Sequence, residues 1–211
     1  MQMPSQAPFM VLSGVTLFPQ ALLPLHIFEP RYREMLAGCL EGNRIFGVTS
    51  MEKSHKGPSP KPRLSPIAGV GLIRACVEQP DGTSNLILQG LLRVQLTRHI
   101  QTSPFLVAEI SPLPSTHTDS VEVDALSLRL KEIVCDLLQN SDKMPPHIVT
   151  HITRTESPDS LSDLVAYLLL KREDYRREIM ETLDLTSRLR KLIRMVPEEI
   201  GGNNPPPSSG L

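Results

Sequence analysis

The chain has 211 residues, 40% hydrophobic and 21% charged, with a formal net charge of -1. That length suits one large domain or two small ones of roughly 100 residues each, and the composition is globular rather than disordered. Near-zero net charge excludes a global attraction to nucleic acid or to an acidic membrane surface, although charge can still be patchy. Cys39, Cys76 and Cys135 form no Cys-x-x-Cys pair, so neither a zinc knuckle nor a redox motif is supported, and small buried thiols are expected. The amino terminus lacks a secretory pattern, and Leu161 to Leu170, the most apolar run, is too short to cross a bilayer. A soluble, reducing, cytoplasmic setting is expected.

In chain order, Phe9 to Leu12 and Ala21 to Leu25 read as short strands separated by a Phe18-Pro19 turn. Pro30 suits the first position of a helix, in which Tyr32, Met35, Leu36, Cys39 and Leu40 make one apolar stripe and which Gly42 stops. Arg44 to Thr49 is a strand. Met51 to Pro66 carries prolines at alternate positions with Lys53, Lys56, Lys61 and Arg63, and reads as a mobile, basic loop. Strands return at Ala68 to Glu78, Asn85 to Gln89, Leu91 to Thr97 and Phe105 to Ile110, with Asp81-Gly82 as a hairpin turn. Several short strands and one early helix suggest a small barrel-like β domain over residues 1–114.

After Pro114 the apolar period becomes helical. Leu126, Leu130, Ile133, Val134, Leu137 and Leu138 make one stripe between about Asp119 and Gln139. Ser157-Pro158 is a helix start, and Leu161, Leu164, Val165, Leu168 and Leu169 follow at helical spacing. Tyr175, Ile179, Met180 and Leu183 suggest a third helix, and Leu189, Leu192, Ile193 and Val196 a fourth. Single stripes must pack on one another or on the barrel, so residues 115–197 are expected to form a helical bundle. From Pro197 onward, with residues 198–211 as its bulk, the composition predicts a disordered tail.

One segment is distinctive: Leu17-Phe18-Pro19, then Leu23-Pro24-Leu25-His26-Ile27-Phe28-Glu29-Pro30-Arg31-Tyr32-Arg33. It resembles the opening of the amino-terminal, substrate-binding domain of the Lon protease family. Gly69-x-Gly71-x-Ile73, Leu88-Gln89-Gly90-Leu91-Leu92-Arg93-Val94 and Phe105-Leu106-Val107-Ala108-Glu109-Ile110 resemble later pieces of that domain, in the same order. The likeness covers roughly Pro8 to Pro197. It implies an α+β fold, a PUA-like β pseudo-barrel with one early helix followed by a carboxy-terminal helical bundle. The sequence has no counterpart of the ATPase and serine–lysine peptidase that follow in Lon proteases, so it looks like a stand-alone Lon-domain protein.

Catalytic and cofactor chemistry finds little support. No Gly-x-x-x-x-Gly-Lys-[Ser/Thr] is present, and Gly69-x-Gly71 reads as close strand packing. His147 and His151 are four apart, but no glutamate lies between them, so they read as surface or helix-end residues rather than a metal pair. No Gly-x-Ser-x-Gly elbow occurs. Glu29 beside Arg31 and Arg33 suits the charged first turn of a helix. Strand alternation places His26 and Phe28 opposite Ile27, where either Phe28 staples the helix and His26 caps the barrel rim, or this rim forms part of a groove for exposed apolar side chains.

No catalytic residue, cofactor or metal is therefore expected. The resemblance implies a non-catalytic recognition module that binds unfolded or exposed apolar polypeptide, an adaptor in protein quality control with a protease or chaperone as partner. Phe18, Leu22, His26 and Tyr32 are the expected peptide contacts. The alternative is a PUA-like RNA-binding module using the loop Lys53 to Arg63. That loop lacks an aromatic residue on which a base could stack, so nucleic acid is the weaker expectation.

Overall fold

Alternating apolar residues carry the chain up to Pro112 into strands, as that period requires. They are β1 (Gln6–Val11), β2 (Leu22–Ile27), β3 (Ile45–Thr49), the two-residue β4 (Met51–Glu52) and β5 (Arg63–Leu64), β6 (Ile67–Glu78), β7 (Ser84–Gln101) and β8 (Leu106–Pro112). One helix, α1 (Pro30–Glu41), interrupts them. In the computed structural model the described residues are 3–52, 63–116, 120–139 and 145–201. The chain divides into two compact units, Met1–Pro114 and Ser115–Leu211.

The six-stranded sheet of the first unit runs β2-β7-β6-β3-β1-β8, and β8 also pairs with β7, which closes it on itself. The closure depends on the length of β7. Its first half pairs with β2 from Ser84 to Gln89, and its second half pairs with β8 from Val94 to Gln101. The sequence suggested two strands broken at Gly90; the structure joins them into one of 18 residues. Gly90 is instead a point of close approach: a Cβ there would stand 2.0 Å from the Phe18 carbonyl oxygen. The Gly90 N–H donates to the Ala21 carbonyl at 2.9 Å, and the Gly90 carbonyl accepts from the Gln20 N–H at 2.8 Å. At Gly69 a Cβ would stand 1.9 Å from the Leu17 carbonyl oxygen, which bears out the reading of Gly69-x-Gly71 as close packing. The segment before β2 thus lies against the sheet where side chains are missing.

In α1, Pro30 occupies the first turn and Gly42 the carboxy-terminal cap, as expected. Tyr32, Met35, Leu36 and Cys39 are its buried stripe, packed with Ile27, Phe46, Ile73, Leu86 and Leu88. Burial in this cluster pushes the Cys39 thiol up to about 11. Cys76 and Cys135 are only half-buried, unlike the expectation for them. The basic loop lies outside the described residues except for its ends. There Met51 pairs with Leu64 and Glu52 with Arg63, so the segment opens and closes as a hairpin rather than as free loop.

The second unit holds α2 (Ser120–Gln139), α3 (Pro146–Arg154), α4 (Pro158–Leu169), α5 (Glu173–Glu181) and α6 (Leu185–Gly201). Helix α3, which carries His147 and His151, was not expected from the apolar period. Ser157 caps α4 by accepting from the Ser160 N–H at 3.3 Å. Helix α6 continues through Pro197 to Gly201, beyond the point where a tail was expected to begin; residues 202–211 lie outside the described set. Arg188 of α6 is fully buried. Its guanidinium donates to Asp159 Oδ1 at 2.7 Å, Asp163 Oδ1 at 3.3 Å, Ser162 Oγ at 3.2 Å, Ser115 Oγ at 2.5 Å and the Thr182 carbonyl at 2.9 Å. One side chain thereby ties the start of the unit, the first turns of α4 and the α5–α6 connection together. The class is α+β, as the sequence suggested.

Candidate functional site: an apolar groove on the outer face of the sheet

One face of β2, β7 and β6 is the core: Ile27, Leu86, Leu88 and Ile73 are buried there, with Leu23 and Leu25 packed against them. The pleat puts their neighbours on the opposite, outer face. On it, the register sets Pro24 opposite Ile87 and Ile87 opposite Ala75, then His26 opposite Asn85 and Asn85 opposite Val77. These two adjacent cross-strand rows line a groove of about 450 Å³, with main chain of Leu25 and Leu86 between them. The upper row is wholly apolar. The lower row has an amide and an imidazole, with Val77 at its end.

Three large apolar side chains stand open around the groove, where water would ordinarily oppose them: Leu22 is 54% exposed, Val77 60% and Phe28 60%. Phe28 therefore does not staple α1; it stacks on His26 with ring centroids 5.8 Å apart. His26 Nδ1 lies 2.9 Å from Asn85 Oδ1, which fixes the ring across the two strands. The Asp81 carboxylate at the hairpin tip accepts from the Thr83 N–H at 2.9 Å and the Thr83 hydroxyl at 2.8 Å, which holds it below the usual carboxylate range.

The four residues singled out in the sequence divide between two places. Leu22 and His26 lie on the outer face of β2. Phe18 and Tyr32 are buried, at 0% and 2% exposure. The Tyr32 hydroxyl accepts from the Val11 N–H at 3.1 Å and so braces α1 against the end of β1. Glu29, at the start of α1, makes no side-chain cap bond, and its carboxylate instead accepts from Arg31 Nε at 2.9 Å.

Pro24, Ala75, Val77, Asn85 and Ile87 were missed. The Asp81-Gly82 turn could not have found them: a hairpin drawn symmetrically about it sets Val77 against Leu86, whereas the observed register is centred on Asp81 and sets Val77 against Asn85 and Glu78 against Ser84. His147 and His151 are both exposed on α3. Among the described residues no group of three or more His, Cys, Asp and Glu side chains could hold a metal ion. No described helix is long and apolar enough to cross a membrane.

The closed sheet with its early helix, followed by a set of helices, places the molecule in a known class of folds. It superimposes on the amino-terminal domain of a Mycobacterium avium complex Lon protease with a TM-score of 0.74 at 19% identity, over 92% of this chain and 98% of that one. A Lon N-terminal domain protein from Xanthomonas campestris gives 0.64 at 20% identity, over 92% and 100%. The chain belongs to the family described as the ATP-dependent protease La (Lon) substrate-binding domain, which matches residues 6–198. The Lon protease of Desulfosudis oleivorans is 27% identical over 94% of this chain, and that of Dictyoglomus thermophilum 23% identical over 93%. The chain spans about a quarter of the length of these relatives, 24% and 25%.

Proposed function

We propose that this chain is a non-catalytic recognition module that captures exposed apolar segments of unfolded polypeptides on the outer face of β2, β7 and β6. The observation that carries the reading is the groove itself: an apolar floor with Leu22, Val77 and Phe28 left open around it. Membership of a family described as substrate-binding supports polypeptide as the ligand class. Seating two side chains of leucine or valine size would contribute about 3–6 kcal/mol. Association costs of at least ~4 kcal/mol offset most of that, so a single segment binds weakly. Useful capture needs several contacts at once, which suits an adaptor that delivers a long unfolded chain to a protease or chaperone.

The test is fluorescence anisotropy of a labelled, permanently unfolded polypeptide and a labelled RNA, each titrated with the protein at low and moderate salt. The expected result is polypeptide binding that changes little with salt and weakens at least fivefold in Val77→Asp, an exposed position where the fold tolerates the change. Binding of RNA alone, falling steeply with salt, would move the site to the basic loop and overturn the reading.

A further inference from the structure

Capture on an outer sheet face leaves open how the segment is held, and the edge of the sheet supplies an answer. Strand β2 ends the sheet order, and among the described residues no strand lies beyond it. The Gly90 N–H bonds to the Ala21 carbonyl, so the main chain of Ala21 faces β7. Residues of an antiparallel strand alternate in the edge they address, and the register from Leu22 to Ile27 is unbroken. Leu23, Leu25 and Ile27 therefore face β7, while Pro24 and His26 turn their main chain outward. Pro24 fits that assignment, because it has no N–H to give the β7 ladder.

Resting on the reading of this face as a polypeptide site, we infer that the bound segment joins the sheet as an added strand along β2. The His26 N–H donates to the segment, and the carbonyls of Pro24 and His26 accept from it. Side chains of an added strand alternate with a period of two residues, as do Pro24 and His26, so one face of the segment lies beside the groove rows. Main-chain bonding selects for extended shape and not for sequence, which an unfolded ligand requires. A second copy of β2 is a poorer occupant. Two such edges facing each other would each lack the donor at Pro24, the device by which edge strands avoid pairing with themselves.

The experiment uses a labelled peptide of alternating valine and serine and two versions N-methylated at alternate amides, one at every valine and one at every serine. An added strand presents only one set of amides to β2. One methylated version then binds at least tenfold more weakly than the other: the valine version for an antiparallel segment, the serine version for a parallel one. Equal affinity of the two versions, whether both are retained or both reduced, overturns the inference while leaving the apolar site intact. Failure of the unmethylated peptide and of the unfolded polypeptide to bind removes the site and the inference together. As a check from the protein side, His26→Pro removes the outward N–H while His26→Ala keeps it. Loss of binding in the proline variant alone, with both variants giving the wild-type circular dichroism spectrum, is the expected result.

Discussion

Arg188 is the most buried charge of the second unit, and its neighbours define what its loss would do. Asp163, itself 2% exposed, faces the guanidinium at 3.3 Å. Removing the cation strands that carboxylate away from water, which costs about 3–5 kcal/mol for a broken buried pair. Arg188→Met is thus expected to lower the unfolding free energy by that amount, as read from a denaturant titration. Arg188→Lys should recover only part of it, because a single ammonium cannot span Ser115, Asp159 and the Thr182 carbonyl as a planar fork does. Equal stability of Arg188→Met and the parent would show that the cluster contributes no net stability. Nothing in the apolar period announces this residue. It falls beside Leu189 on the buried side of α6, where a helical stripe would ordinarily carry an aliphatic residue, and only its acidic partners on another helix explain it.

Among the elements, β7 shows most clearly how local and long-range signals separate. Its alternation was legible on both sides of Gly90, and so were the turn at Asp81-Gly82, the proline start of α1 and its buried stripe. What could not be read was the role of Gly90. A missing side chain looks like a break in sequence, but here it marks where the main chain of Phe18 crosses the strand. Gly90→Ala is therefore expected to destabilise the fold by about 1–3 kcal/mol through forced displacement of that crossing, measured by thermal unfolding. Unchanged stability would mean that the segment at Phe18 yields freely. Helix α3 escaped notice because its nine residues are crowded with β-branched side chains, Ile148, Val149, Thr150, Ile152 and Thr153, which read against a helix. The groove escaped for a different reason. Its residues are far apart in sequence and come together only through strand register, which no local window contains, whereas Leu22 and His26 could be found on β2 alone.

At the scale of the whole molecule, charge sets the limits of stability at both ends of the pH range. Asp81, Glu109, Asp174 and Asp184 all titrate below their ordinary values, through bonds to the Thr83 amide, Arg98, Arg172 and the Ser187 hydroxyl respectively. Groups lowered on folding contribute stability that is full above their unfolded pKa near 4 and is lost as pH falls through the folded values. Cys39 works at the other limit. Raised from 9.0 to about 11, it contributes stability that is full below 9.0 and is lost as pH rises toward 11. The denaturant midpoint is expected to fall below about pH 4 and again above about pH 9, and Cys39→Ala should flatten the alkaline fall alone. Persistence of that fall in the variant would assign it to other groups.

The strand pairing also has a consequence in time. Strand β1 is held by β3 and by β8, so residues made first wait for a partner made last within their unit. At about 5–20 residues per second, the ribosome needs on the order of 5–20 seconds to supply the roughly 100 residues between them. Throughout that interval one edge of β1 in a nascent copy lacks its partner, even once β3 has paired with the other. A protein read here as a catcher of unfinished chains is, at birth, a chain that such a catcher would recognise.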